Sequence, residues 1–73
     1  MKLKIRDDAR LYHLNEYLKT HDDLTDRVIQ EANLLGLVEG KEVNGGPFDK
    51  DDYWIELQNH VMIKITKEYV KGD

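Results

Sequence analysis

Apolar residues in the last third of the chain fall on alternate positions. Tyr53, Ile55 and Leu57 alternate with Trp54, Glu56 and Gln58, and Val61, Ile63 and Ile65 alternate with Met62, Lys64 and Thr66. Successive side chains of an extended strand point to opposite faces. The spacing therefore predicts strands over 53–58 and 61–66, joined at Asn59-His60 as a β-hairpin with one buried face. Lys2-Leu3-Lys4-Ile5-Arg6 repeats the alternation and predicts a strand over 2–6. Leu3 and Ile5 would point inward, and the outward cations suit a sheet edge, where charge discourages unwanted pairing.

A different period governs 22–35. Leu24, Val28, Ala32 and Leu35 stand at i, i+4, i+8 and i+11, the stripe of an amphipathic helix. Asp22, Asp23 and Asp26 fall in the first turns, where the helix dipole favours negative charge, and Gly36 stands where a C-cap glycine would. The stripe is expected to pack on the inner face of the hairpin. Residues 8–19 carry both periods. Leu11, Leu14 and Leu18 recur at helical spacing behind Asp7 or Asp8 as N-cap, while Ala9, Leu11 and His13 alternate. Helix is the preferred reading there, and continuation of the first strand is the alternative.

Leu37 to Val43 reads as a strand weakened by Gly40, the mark of a bulge. Asn44-Gly45-Gly46-Pro47 reads as a turn, with Phe48-Asp49-Lys50-Asp51-Asp52 continuing the loop. Thr66 to Tyr69 reads as one 3-10 turn before Val70. The elements sum to a single α+β domain over 1–73. Its antiparallel sheet has three to four strands (2–6, 37–43, 53–58 and 61–66) and is packed by a helix at 22–35.

Composition narrows the chemistry. The chain has 73 residues and no cysteine, so neither a disulfide framework nor a thiolate metal site is available. A core of this size supplies only about 3–5 kcal/mol of net stability, so burial against a partner would matter. The charged start, Met1-Lys2-Leu3-Lys4-Ile5-Arg6-Asp7-Asp8, has no apolar stretch of the secretory kind, and no run approaches the ~18 apolar residues of a membrane span. The expectation is a cytoplasmic protein. The net charge of −4 is uneven: +2 over 1–10, −7 over 11–60 and +1 over 61–73. Basic terminal segments thus stand against an acidic body, a distribution suited to steering a basic partner.

Catalytic and metal constellations are sparse. The chain contains no serine and no cysteine, which excludes Ser- and Cys-nucleophile mechanisms. The spacing places no base near Thr20, Thr25 or Thr66. Asn44-Gly45-Gly46-Pro47 is followed by no Lys-Ser/Thr pair, so it is no phosphate cradle. Asp49, Asp51 and Asp52 have the look of a calcium loop, but Trp54 stands at the sixth position, where glycine is required, and His60 at the twelfth, where a glutamate belongs. His13, His21 and His60 share no ligand spacing. No enzyme, metal or cofactor is expected.

The C-terminal half resembles an SH3-like small barrel of the KOW or Tudor type. The matching pieces are Gly36-Leu37-Val38-Glu39-Gly40-Lys41-Glu42-Val43, Tyr53 to Leu57, Val61 to Ile65, and Lys67-Glu68-Tyr69-Val70, with 8–12 as a candidate first strand. Residues 14–35 depart from the pattern as a helical insertion. The resemblance implies a closed barrel as the alternative fold, and peptide or nucleic-acid binding without catalysis. The chain is also similar in type to small acidic phage-encoded regulators that dock on host enzymes such as RNA polymerase.

Two functional readings follow. In the leading one, Trp54 and Met62 lie on the outer face of the hairpin and anchor a larger protein partner, rimmed by Asp49, Asp51, Asp52 and Glu56, as aromatic hot spots do. In the alternative, an SH3-like domain binds nucleic acid through Lys64 and Lys67 beside Tyr69. The acidic body weighs against the second, because phosphate contacts dominate such affinity.

Overall fold

A computed structural model describes residues 1–71. The elements run β1 (Lys2–Lys4), α1 (Ala9–Leu18), α2 (Asp26–Val38), β2 (Glu42–Pro47), β3 (Asp52–Glu56) and β4 (Met62–Thr66), with short 3-10 turns at Gln58–His60 and Lys67–Tyr69. The strands form one antiparallel meander in the order β1-β2-β3-β4. Leu3 pairs with Val43, Gly46 with Trp54, and Trp54 with Lys64. The fold is a small α+β domain, as the periodicities predict.

The inner face of the sheet carries Leu3, Val43, Ile55 and Ile65, and the helices cover it through Ala9, Leu35 and Val38. Ile5 and Ile55 are fully enclosed at its centre. Each such side chain contributes about 1.5–3 kcal/mol by leaving water, a large share for a domain this small. Val28 and Ala32 continue the α2 stripe and are also buried. The α2 N-terminus is set by Thr25, whose hydroxyl accepts a bond from the Val28 N–H at 3.3 Å, and Asp26 lies in the first turn. Asp22, Asp23 and Leu24 precede the helix, and Leu24 is exposed.

Several boundaries differ from the sequence reading. Leu37 and Val38 belong to α2 and not to a strand, because Val38 extends the Val28-Ala32-Leu35 stripe into the core. Gly36 is internal to the helix, where its bare Cα admits the Arg10 side chain of α1. The residue that ends the helix is Gly40. Its φ of +73° is a left-handed conformation, and its N–H donates to the carbonyls of Ile5 and Arg6.

Asn44 to Pro47 is the last four residues of the six-residue β2 and not a turn. Its glycines serve close approach across the sheet, and its proline pairs with Tyr53 at the strand's last position. The reversal comes next. There the Phe48 N–H donates to the Asp52 carbonyl, and the Asp49 carboxylate accepts from the Asp51 and Asp52 N–H groups at 3.1 Å each.

The hairpin connection is longer than Asn59-His60. Glu56 and Met62 form the last pair, and a 3-10 turn with His60 at φ +62° fills the space between. Val61 is therefore exposed and not in the core, whereas Leu57 is buried.

The sheet does not close into a barrel, so the closed architecture implied by the KOW or Tudor resemblance does not form. Residues 8–19 supply α1 in place of a first barrel strand, and β1 is only three residues long. The chain after β4 meets the continuation of β1 at a single bridge, Ile5 to Val70.

Candidate functional site

Helix α1 faces the sheet with its less apolar side. Ala9 is buried, the Tyr12 ring stands edge-on to Tyr69 at 5.4 Å between centroids, and His13 Nδ1 hydrogen-bonds the Tyr69 hydroxyl. The Tyr12 hydroxyl donates to Glu68 at 2.6 Å, and the Arg6 guanidinium lies 3.9 Å over the Tyr12 ring. The Glu68 carboxylate holds the Tyr12 phenol protonated, its pKa pushed up to about 12, and burial pushes Tyr69 up to about 12. His13 Nε2 is buried without a hydrogen-bond partner, 4.0 Å from Glu31.

With that side engaged, the leucine stripe turns outward. Leu11 is 60 % exposed, Leu18 is exposed and Leu14 is half-buried. Arg10 touches Gly36, and its N–H donates to the Glu39 carboxylate, so the start of α1 lies beside the end of α2 and the helices are antiparallel. That register sets Leu11 level with Leu37, which is 50 % exposed, and Leu18 level with exposed Ile29. Exposed Leu24 lies in the connection between them. The outward side of the helical layer is thus an apolar strip. Exposed Asp7 and Asp8 stand at one end, and Asp22, Asp23 and Asp26 at the other.

The outer sheet face is a second apolar surface. The register puts Trp54 and Met62 on it, as the alternation predicts, with Met62 55 % exposed. Trp54 is half-buried because its indole lies over Gly46. Exposed Phe48 joins them, with the Lys64 ammonium 5.4 Å over its ring. Comparison with known protein families, curated proteins and solved structures finds no match.

The acids expected to rim this face are divided in role. Asp49 is occupied by its own loop, Asp52 is largely covered and 4.0 Å from Lys64, and Glu56 lies 3.5 Å from His60. Asp51 is exposed. Of the residues expected to contact nucleic acid, Lys64 lies in β4 and Lys67 in the 3-10 turn that follows it, and both are exposed. Lys64 pairs with Trp54, whereas the Lys67 ammonium is 5.8 Å over the Tyr53 ring. Tyr69 is buried and offers no ring face for stacking.

The leucine spacing on α1 predicts a helix but not which way the stripe faces. The available signal was Tyr69, whose polar tip needs a buried partner such as His13. Among the described residues, no group of three or more His, Asp or Glu is placed to hold a metal ion, and no helix is long and apolar enough to cross a membrane.

Proposed function

We infer that this chain is a non-enzymatic docking module of the cytoplasm that seats the outward face of its helical layer in a groove on a larger protein. One observation carries the reading: Leu11, Leu14 and Leu18 form a continuous stripe that points away from the core, level with Ile29 and Leu37 of the neighbouring helix. Isolated surface leucines need no explanation, but a two-helix apolar strip costs solubility unless something covers it. Asp7 and Asp8 are paired with Lys4 and Arg6, whereas Asp22, Asp23 and Asp26 take part in no ion pair among the described residues. The acids at that end favour a partner whose apolar groove is flanked by basic residues. A regulator occluding such a groove on a host enzyme, RNA polymerase among them, is the case that a short acidic chain fits. Trp54, Met62 and Phe48 supply a second surface for the same role.

The test uses three forms of the full chain: wild type, Leu11→Glu/Leu37→Glu and Trp54→Ala/Met62→Glu. Each is checked for an intact fold by circular dichroism and used to capture partners from host extract. Any captured protein is then purified and titrated. The helix-face variant is expected to weaken binding by at least about a hundredfold, since two buried carboxylates each cost more than 1.4 kcal/mol. Undiminished binding by that variant would move the site to the sheet face. A concentration-dependent dimer abolished by Leu11→Glu/Leu37→Glu would show instead that the strip pairs with a second copy.

A further inference from the structure

The seam where the meander fails to close has its own chemistry, independent of the docking face. On one edge β1 pairs with β2. On the other, the Arg6 N–H donates to the Tyr69 carbonyl and the Lys71 N–H to the Lys4 carbonyl, and among the described residues this pairing goes no further. What is left is a recess of about 770 Å³ between β1 and the 67–71 segment. That volume lies in the range of small-molecule sites, roughly 300–1,000 Å³.

Its lining is basic in a chain whose net charge is −4. Lys2, Lys4, Lys67, Lys71 and the amino terminus contribute, and Glu42 is the one acid of the lining among the described residues. Two of these cations are already held: the Lys4 ammonium by the Gly40 carbonyl and the terminal ammonium by the Gly45 carbonyl. Lys2, Lys67 and Lys71 take part in no ion pair among the described residues and are exposed. Successive peptides of an antiparallel strand face alternate sides. Since Lys4 and Arg6 bond toward the 67–71 segment, the Lys2 peptide N–H faces the recess as a further donor. Leu3, Val70 and the half-buried Tyr53 ring supply an apolar wall.

We propose that this recess binds a nucleotide, its phosphates held by Lys2, Lys67 and Lys71 and its base set against Leu3, Tyr53 and Val70. Mutual repulsion of three unpaired ammonium groups is relieved by a compact polyanion, and charge-assisted bonds to phosphate are the strong kind. The length of the ligand follows from the rest of the surface. Residues 11–60 carry −7, which repels an extended phosphate backbone beyond the recess and favours a single nucleotide over a strand.

The test is an amide-resolved NMR titration of the full chain with three probes: adenosine triphosphate, inorganic triphosphate and a short oligothymidine. Adenosine triphosphate is expected to give saturable shifts confined to Lys2–Lys4, Tyr53 and Lys67–Lys71. Lys67→Glu/Lys71→Glu should weaken binding about tenfold or more, since each reversal replaces an attraction by a repulsion. Lys2→Ala serves as an independent variant that changes no packing. Lys19→Glu, at the far end of the helical layer, should leave the affinity unchanged.

Four outcomes would overturn the proposal. They are the absence of saturable shifts, an equal loss in Lys19→Glu, inorganic triphosphate binding as tightly as the nucleotide, and oligothymidine binding more tightly than either. The last would make the recess a strand-binding site.

Discussion

The backbone of Gly45 passes so close beneath Trp54 that a Cβ built on it would stand 2.4 Å from the Trp54 carbonyl oxygen. It would also stand 2.7 Å from Leu3 Cδ1. Neither neighbour can yield. The oxygen belongs to the β2–β3 ladder, and Leu3 is part of the core. Gly45→Ala is therefore expected to destabilise by about 3 kcal/mol or more, the upper end for forced overpacking. In a domain of this size that lowers Tm by about 10 °C or more. A thermal melt within about 3 °C of wild type would show that the strands can part locally to take the methyl group.

The next residue behaves differently. A Cβ on Gly46 would meet the Trp54 indole at 3.1 Å from Nε1, and that ring is on the outer, half-open face. Gly46→Ala should push the indole toward solvent at little cost, because the methyl group also restricts the unfolded chain by about 0.4–1 kcal/mol. The expected result is a stability change within about 1 kcal/mol and a red shift of tryptophan fluorescence, which Trp54, the single tryptophan, reports alone. Unchanged emission with a melt lowered as far as that of Gly45→Ala would contradict this placement.

The same pair of glycines shows where the sequence misled. Asn44-Gly45-Gly46-Pro47 carries every residue type of a tight turn, yet it is a strand, because glycine is also the residue that lets two backbones and an indole approach. Pattern alone does not separate the two uses, since the partners that demand the glycines, Trp54 and Ile55, are eight to ten residues away. Periodicity succeeded where one face is uniformly buried. Ile55, Leu57 and Ile65, and Val28, Ala32 and Leu35, are core residues in both the reading and the structure. On α1 periodicity predicts the helix that forms but not the side it buries, because two stripes compete. There Leu11, Leu14 and Leu18 are the more apolar set, but Tyr12 and His13 have a specific long-range partner in Tyr69, 56 residues from His13. Of the candidate sites, Trp54 and Met62 on one face were legible from alternation. The helical strip and the basic recess were not, because both arise from how distant segments meet.

The two ends of α2 offer a local check on its boundaries. Thr25→Ala removes the hydroxyl that accepts from the Val28 N–H and is expected to cost about 1 kcal/mol. Gly40→Ala places a side chain at φ +73° and 3.1 Å from an Asp7 carboxylate oxygen, for about 1–2 kcal/mol. Denaturant titration of both variants should show lowered midpoints with unchanged slopes, since neither changes the surface exposed on unfolding. If the helix instead ended at Gly36, Gly40→Ala would be nearly neutral.

Tyr12 and Tyr69 join α1 to the end of the chain, and both are neutral phenols whose pKa is pushed from 10.0 up to about 12. The Glu68 carboxylate does this for Tyr12, and burial does it for Tyr69. A group whose folded pKa lies above its unfolded one stabilises the fold fully below the unfolded value. Its contribution is lost as pH rises through the folded value, because the unfolded chain releases its proton first. Stability is thus expected to hold up to about pH 10, fall between about pH 10 and 12, and level off above that. Lysine side chains also titrate in this window, so the informative quantity is the difference from Tyr12→Phe/Tyr69→Phe. Urea midpoints from pH 8 to pH 12 should drop less steeply in the double variant, even if it starts lower for want of the hydroxyl bonds to Glu68 and His13. Parallel curves for the two proteins would mean that the phenols ionise as readily folded as unfolded, and that neither contact is maintained in solution.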